Sequence, residues 1–240
     1  MKKFIILLFI ITVISSNPAY AHKLITHNDT HRSLDSALEI PDHKISWAIY
    51  DNLGPKEAKF YSFEAKPGDS FYASIVIPKI SDLEEYSPTL VLVNGNYVEK
   101  DIPLLESQAV MKKVVYDGVF PGREFYEPFG QITYWERQEI KTTLTTEGKY
   151  FVIVLDEKNQ AGKYSLAIGT IEDFSLADLF TILPTAWLET KLFVDDYTSV
   201  VIFFLVLIAI VTIPTIMVIR RKLNRTKTSV STSSQSDLIE

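Results

Sequence analysis

The chain has 240 residues, a formal net charge of −6, and 47% hydrophobic residues. It contains no cysteine, which excludes disulfide staples, thiol nucleophiles and cysteine-ligated zinc, so any exported domain must be held by its core alone. The charge is unevenly spread: residues 22–197 carry 17 Lys and Arg against 28 Asp and Glu, whereas residues 198–240 carry five basic and two acidic side chains. An acidic domain lacks the basic surface that phosphate contacts need, which argues against nucleic acid as a partner.

At the N-terminus, Lys2 and Lys3 precede an apolar run over 4–14. Ser15, Ser16, Asn17 and Pro18 break it, and Ala19-Tyr20-Ala21 offers small residues at the −3 and −1 positions. These three parts predict a cleavable secretory signal over 1–21, because the apolar run is too short to span a bilayer. A polar segment, 22–43, follows and holds all four histidines: His22, His27, His31 and His43. It is expected to be a flexible arm. Cleavage after Ala21 makes His22 the first residue, and its α-amino group and imidazole can then chelate Cu(II), with His27 or His31 completing a planar nitrogen set. Copper is thus the alternative to a domain with no cofactor. Asn28-Asp29-Thr30 is a glycosylation sequon at Asn28.

Strand patterns dominate 44–172. Eight strands are expected, over 44–50, 58–65, 69–78, 88–94, 109–117, 131–144, 149–156 and 163–170. In the third, Phe71, Ala73, Ile75 and Ile77 alternate with Tyr72, Ser74 and Val76, the period of a pleated strand. Turn chemistry separates the runs, as in Lys66-Pro67-Gly68-Asp69 and Asn94-Gly95-Asn96. The expected fold is all-β, an eight-stranded β-sandwich or jelly roll.

The richest aromatic stretch runs from Tyr116 to Trp135. It contains Tyr116, Phe120, Phe125, Tyr126, Phe129, Tyr134 and Trp135, with Arg123, Glu124 and Glu127 among them. Two expectations stand. The stretch displays a platform on which a sugar or peptide stacks, or it is a packed loop that seals the core. There is no GxSxG, HExxH, P-loop or dinucleotide fingerprint, and no pair of carboxylates is set apart by its spacing, so no enzymatic activity is expected.

Beyond the strands, Ser175-Leu176-Ala177-Asp178 has the form of a helix cap, and Leu183, Trp187, Leu188 and Leu192 share one helical face. Two short juxtamembrane helices are expected over 173–197. They either lie in the membrane interface or pack on the sandwich. Residues 198–219 carry no charge for 22 positions, enough at ~1.5 Å per residue to cross the hydrocarbon layer. Arg220, Arg221, Lys222, Arg225 and Lys227 follow at once, so the positive-inside rule places the tail, 220–240, in the cytoplasm. That tail is rich in Ser and Thr and is expected to be disordered.

Several segments carry a resemblance. Lys59-Phe60-Tyr61-Ser62-Phe63-Glu64-Ala65-Lys66-Pro67-Gly68-Asp69, Pro88-Thr89-Leu90-Val91-Leu92-Val93-Asn94-Gly95, and the runs Gly148–Val154 and Gly162–Ile168 are similar to the strands and turns of pre-peptidase C-terminal domains. The resemblance implies a small jelly roll with an assisting or binding role. The chain departs from that pattern where Ser87-Pro88 stands in place of an acidic residue, and it carries no peptidase domain. The whole arrangement resembles single-pass envelope proteins of prokaryotes. Taken together, the sequence predicts an extracytoplasmic binding module that recognises a glycan, a peptide or a membrane-protein partner at the bilayer. A structural subunit of a membrane complex is the other non-metal alternative.

Overall fold

A computed structural model describes residues 22–98, 104–175 and 178–236. The expected signal segment lies outside the described residues. Eleven strands form two sheets. β1 (Lys23–Leu24), β3 (Trp47–Leu53), β5 (Ser70–Pro78), β8 (Glu124–Glu127), β9 (Ile132–Thr143) and β11 (Gly162–Ile168) make a six-stranded sheet in the order β1-β3-β11-β5-β9-β8. β2 (Leu38–Glu39), β4 (Ala58–Ala65), β6 (Thr89–Asn94), β7 (Val110–Val114) and β10 (Gly148–Leu155) make a five-stranded sheet in the order β2-β4-β10-β6-β7.

All eight expected strands are present, and three are added. The short β1 and β2 pair in parallel with β3 and β4, because the segment 22–43 runs along the sandwich instead of hanging free. This corrects the expectation of a flexible arm. Its backbone is tied to the sandwich at Lys23, Ile25, Ile40 and His31, and His31 and His43 are both buried. The third addition, β8, turns part of the aromatic stretch into a hairpin with β9, with Phe125 opposite Tyr134.

The core lies between the sheets. Ile49, Leu53, Phe71, Ile75, Ile77 and Leu166 face Tyr61, Phe63, Leu92, Tyr150 and Val154 across it. Phe63 stacks on Phe71 from the opposite sheet, with ring centroids 5.1 Å apart, a pair worth roughly 0.5–1.5 kcal/mol beyond its area. β6 is buried along its whole length. Its second face, Val91 and Val93, joins Phe151 and Ile153 in a smaller cluster covered by Leu34, Ala37 and Leu104. That explains why this strand reads as a continuous apolar run and does not alternate.

One helix, α1 (Asp178–Phe193), replaces the two short helices expected, and Pro184 lies inside it. Ser175 and Asp178 cap it reciprocally: the Asp178 amide donates to the Ser175 hydroxyl, and the Ser175 amide donates to the Asp178 carboxylate. The helix packs on the six-stranded sheet. Phe193 stacks on Tyr50 at 4.8 Å, and the Thr190 hydroxyl donates to the Tyr50 hydroxyl at 2.9 Å.

The second unit, residues 195–240, is dominated by α2 (Tyr197–Ser236). Its apolar stretch, Tyr197–Arg221, has a mean hydropathy of 3.0 and none of it is buried in protein. By length and composition this stretch is suited to cross a membrane. The helix continues into the tail that the sequence predicts to be disordered. No glycine or proline follows Pro214 to stop it, and Arg, Lys and Leu favour its propagation over 220–227, whereas the Ser and Thr residues of 228–236 are weak helix formers.

Candidate functional site

The outer face of the six-stranded sheet carries a groove of about 550 Å³. Alternation builds it. Where Phe71, Ala73, Ile75 and Ile77 point into the core, Tyr72, Ser74 and Val76 of β5 point outward, and Tyr50 of β3 and Ala167 of β11 do the same beside them. The β8–β9 hairpin supplies one wall through Phe125, Tyr134 and Glu136, and His22 closes the far edge. Of the four aromatic residues at the groove, Tyr134 is buried and Tyr50 stacks on Phe193, so Tyr72 and Phe125 are the rings it offers, among hydroxyl and carboxylate groups.

The charges in the groove are held in place. Arg123 grips Glu136 with two parallel bonds of 2.6 and 2.8 Å, which raises the guanidinium pKa above its ordinary value. Glu127 accepts the amides of Phe129 and Gly130 and is thereby fixed at the hairpin turn. Burial raises the Tyr50 and Tyr134 phenols above the ordinary tyrosine value, so both are neutral donors. Burial lowers the His22 imidazole, whose Nδ1 lies 2.5 Å from the Ser46 hydroxyl.

The structure divides the aromatic stretch into three environments. Arg123, Phe125 and Tyr134 line the groove. Tyr116 and Phe120 instead flank the buried guanidinium of Arg137, with their centroids 5.1 and 5.2 Å from it, while Arg137 donates to the carbonyls of Tyr86, Glu84 and Pro121. These two rings clamp a structural cation. Trp135 points inward and is core. Phe129 lies beside Ala186 and Thr190 of α1, and Tyr126 is 57% exposed on the free side of the hairpin. The stretch is thus neither one platform nor one plug. Neighbouring residues on a strand face opposite ways, and sequence clustering does not reveal which. Tyr50, Tyr72 and Ser74 belong to the groove and were legible only as outward positions of their strands.

A second constellation lies inside the sandwich. Asp51 occupies an inward position between Ile49 and Leu53. Its Oδ2 accepts from His31 Nε2 at 2.7 Å and from the Tyr61 hydroxyl at 2.9 Å, and its Oδ1 accepts the Asn52 amide at 2.7 Å. The Tyr61 hydroxyl lies 2.7 Å from that of Tyr164, and Lys59 Nζ lies 3.6 Å from Asp51 Oδ1. Burial and the Asp51 charge push both phenols well above their ordinary value. The strand predicted over 44–50 stops one residue short of Asp51. The signal was available in Ile49, Asp51 and Leu53, which share one face.

His27, His31 and Asp51 bring donor atoms within 4.8 Å of one another, a nitrogen and oxygen set of the kind that suits Zn(II) or Cu(II). His22 is not part of this group. His27 accepts the Asp29 amide at Nδ1, so its proton is on Nε2, which donates to the Tyr50 carbonyl at 3.0 Å. Held in this way, the ring offers no lone pair toward Asp51, and loading an ion requires it to turn. The Asn28 side chain accepts from the Thr30 hydroxyl at 2.8 Å and is exposed.

No protein-family model and no curated protein sequence matches the chain. Several solved structures are distantly similar to its sandwich. The pre-peptidase C-terminal domain of a Bacillus anthracis collagenase is 16% identical over 54% of this chain and 91% of its own, with a TM-score of 0.32. A periplasmic inhibitor of g-type lysozyme from Aeromonas hydrophila is 13% identical over 62% and 98%, with a TM-score of 0.32. The Yersinia pseudotuberculosis-derived mitogen is 14% identical over 58% and 94%, with a TM-score of 0.34. These likenesses concern the β-sandwich alone.

Proposed function

We propose that this chain is a membrane-anchored, extracytoplasmic binding module whose ligand is a glycan lying in the groove of the six-stranded sheet. The signal-type N-terminus, the apolar stretch Tyr197–Arg221 and the basic residues that follow it support export of the sandwich and retention at the bilayer. The observation that carries the ligand class is the lining of the groove. Tyr72 and Phe125 offer ring faces, and Ser74, Glu136 and Glu139 offer hydrogen-bonding groups to hydroxyls. Sugar rings need this combination, an apolar face to stack on and fixed polar groups at the edge. An ordinary extended peptide finds fewer unused backbone partners here, because the central strands of the sheet are already paired on both sides.

Binding of the full chain in detergent micelles to a glycan array, with a panel of unstructured peptides beside it, tests this reading. Retention on glycans is expected, weakened roughly three- to tenfold by Tyr72→Ala or Phe125→Ala and unchanged by Tyr126→Ala. Retention on peptides alone, or glycan binding indifferent to both groove variants, overturns it.

A further inference from the structure

Lys59 is a lysine on the inner face of a strand. Inward positions of β4 are Lys59, Tyr61, Phe63 and Ala65, and the Lys59 side chain has no exposure at all. Its Nζ lies between two carboxylates. One is Asp29, half exposed, which also holds Arg32 at 2.5 Å. The other is Asp51, as fully enclosed as Lys59 itself, at 3.6 Å. A buried ion pair of this kind carries a desolvation cost that the mutual attraction offsets only in part. A lysine amine enclosed away from water is a nucleophile once it is neutral.

We propose that Lys59 and Asp51 condense into an intramolecular isopeptide bond that joins β4 of one sheet to β3 of the other. The two carboxylate oxygens of Asp51 are already differentiated for it. Oδ1 accepts the Asn52 amide, a donor that stabilises charge building on the oxygen retained in the amide. Oδ2 faces the two proton donors, His31 Nε2 and the Tyr61 hydroxyl, and is the oxygen that leaves. One proton passes from the ammonium to the carboxylate, giving amine and acid. Nζ then attacks Cγ, His31 relays a second proton from nitrogen to Oδ2, the Cγ–Oδ2 bond breaks, and water departs. The Nζ–Cγ bond forms with no redox change. Confinement of both groups in the core supplies the proximity. Asp29 keeps Arg32 as its cation once Lys59 is neutral. The loop closed between residues 51 and 59 is short, so the gain lies in removing two buried charges more than in chain entropy.

Peptide mass spectrometry of the purified full chain, denatured and digested with trypsin, decides this. In the wild-type chain, the peptide holding Asp51 and the peptide holding Lys59 are expected as one species, lighter by one water than their sum, with no cleavage after Lys59. In Lys59→Arg the two peptides separate and cleavage after position 59 returns. Wild-type protein that is cut after Lys59 and yields both peptides at their unmodified masses overturns the proposal, and so does a linkage mapped to Asp29. The wild-type result stands whether or not the variant folds.

Discussion

His31 donates through Nε2 to Oδ2 of Asp51 at 2.7 Å, with both side chains shut away from solvent. This bond fastens the N-terminal segment to the interior of β3. Removing one partner leaves the other's polar group buried and unsatisfied, which is costlier than never having had the pair. In Lys59→Arg, where Asp51 keeps Oδ2, adding Asp51→Ala is expected to destabilise the domain further by roughly 3–5 kcal/mol in urea unfolding. Combined with His31→Ala, the loss should fall short of the sum by about 0.5–3 kcal/mol, the signature of a shared bond. Full additivity would show that the two residues act independently.

Two residues of the β8–β9 hairpin should respond unequally to truncation, because one is buried and the other exposed. Trp135 is packed in the core beside Ile77, so Trp135→Ala should cost about 3–5 kcal/mol by thermal unfolding. Tyr126, in the paired strand of the same hairpin, is mostly exposed, and Tyr126→Ala should change stability by no more than about 0.5 kcal/mol. Equal effects would mean that the hairpin is not seated as described.

Stability should fall as the solution is acidified below pH 6.5. His43 packs against Phe63 at 4.7 Å, with Phe71 at 6.4 Å, and burial lowers its pKa below the ordinary 6.5. His22 is shifted in the same direction by burial. A base whose folded pKa is depressed binds protons more readily when unfolded. Its contribution is therefore complete above the unfolded value of 6.5 and is lost as pH drops from there through the folded value. Chemical unfolding at a series of pH values should show this slope, and His43→Leu should flatten it. An unchanged slope assigns the effect elsewhere.

Gly169 ends β11 with a positive φ of 76°, and a Cβ there would lie 2.1 Å from the Ile45 carbonyl oxygen. The backbone of 169–171 closes on 44–46 at this point. Gly169→Ala is expected to destabilise by more than ~1 kcal/mol, because both the conformation and the contact reject a side chain. Gly68 also has a positive φ, of 89°, but nothing within 4 Å of its Cβ position, so Gly68→Ala should cost less in the same assay.

The absence of cysteine makes membrane topology directly measurable. Single replacements Tyr126→Cys and Thr226→Cys, exposed to a membrane-impermeant maleimide on intact cells, should label at position 126 and stay protected at position 226. Labelling at both positions would contradict the orientation that the basic flank implies.

The sequence by itself settles eight of the eleven strands, the apolar C-terminal helix and most of the inward face, because these depend on local periodicity. Phe71, Ala73, Ile75 and Ile77 identify their own core face with no partner in view. It also singles out the aromatic run from Tyr116 to Trp135. Only the tertiary structure decides what that run does, since one residue of register exchanges the groove for the core, and Tyr134 and Trp135 lie on opposite sides of that division. It likewise brings Tyr50, Tyr72 and Phe125 from three strands onto one face, and it sets Lys59 beside Asp51 across the two sheets. Those meetings depend on strand order and register, which are long-range properties that no local spacing encodes.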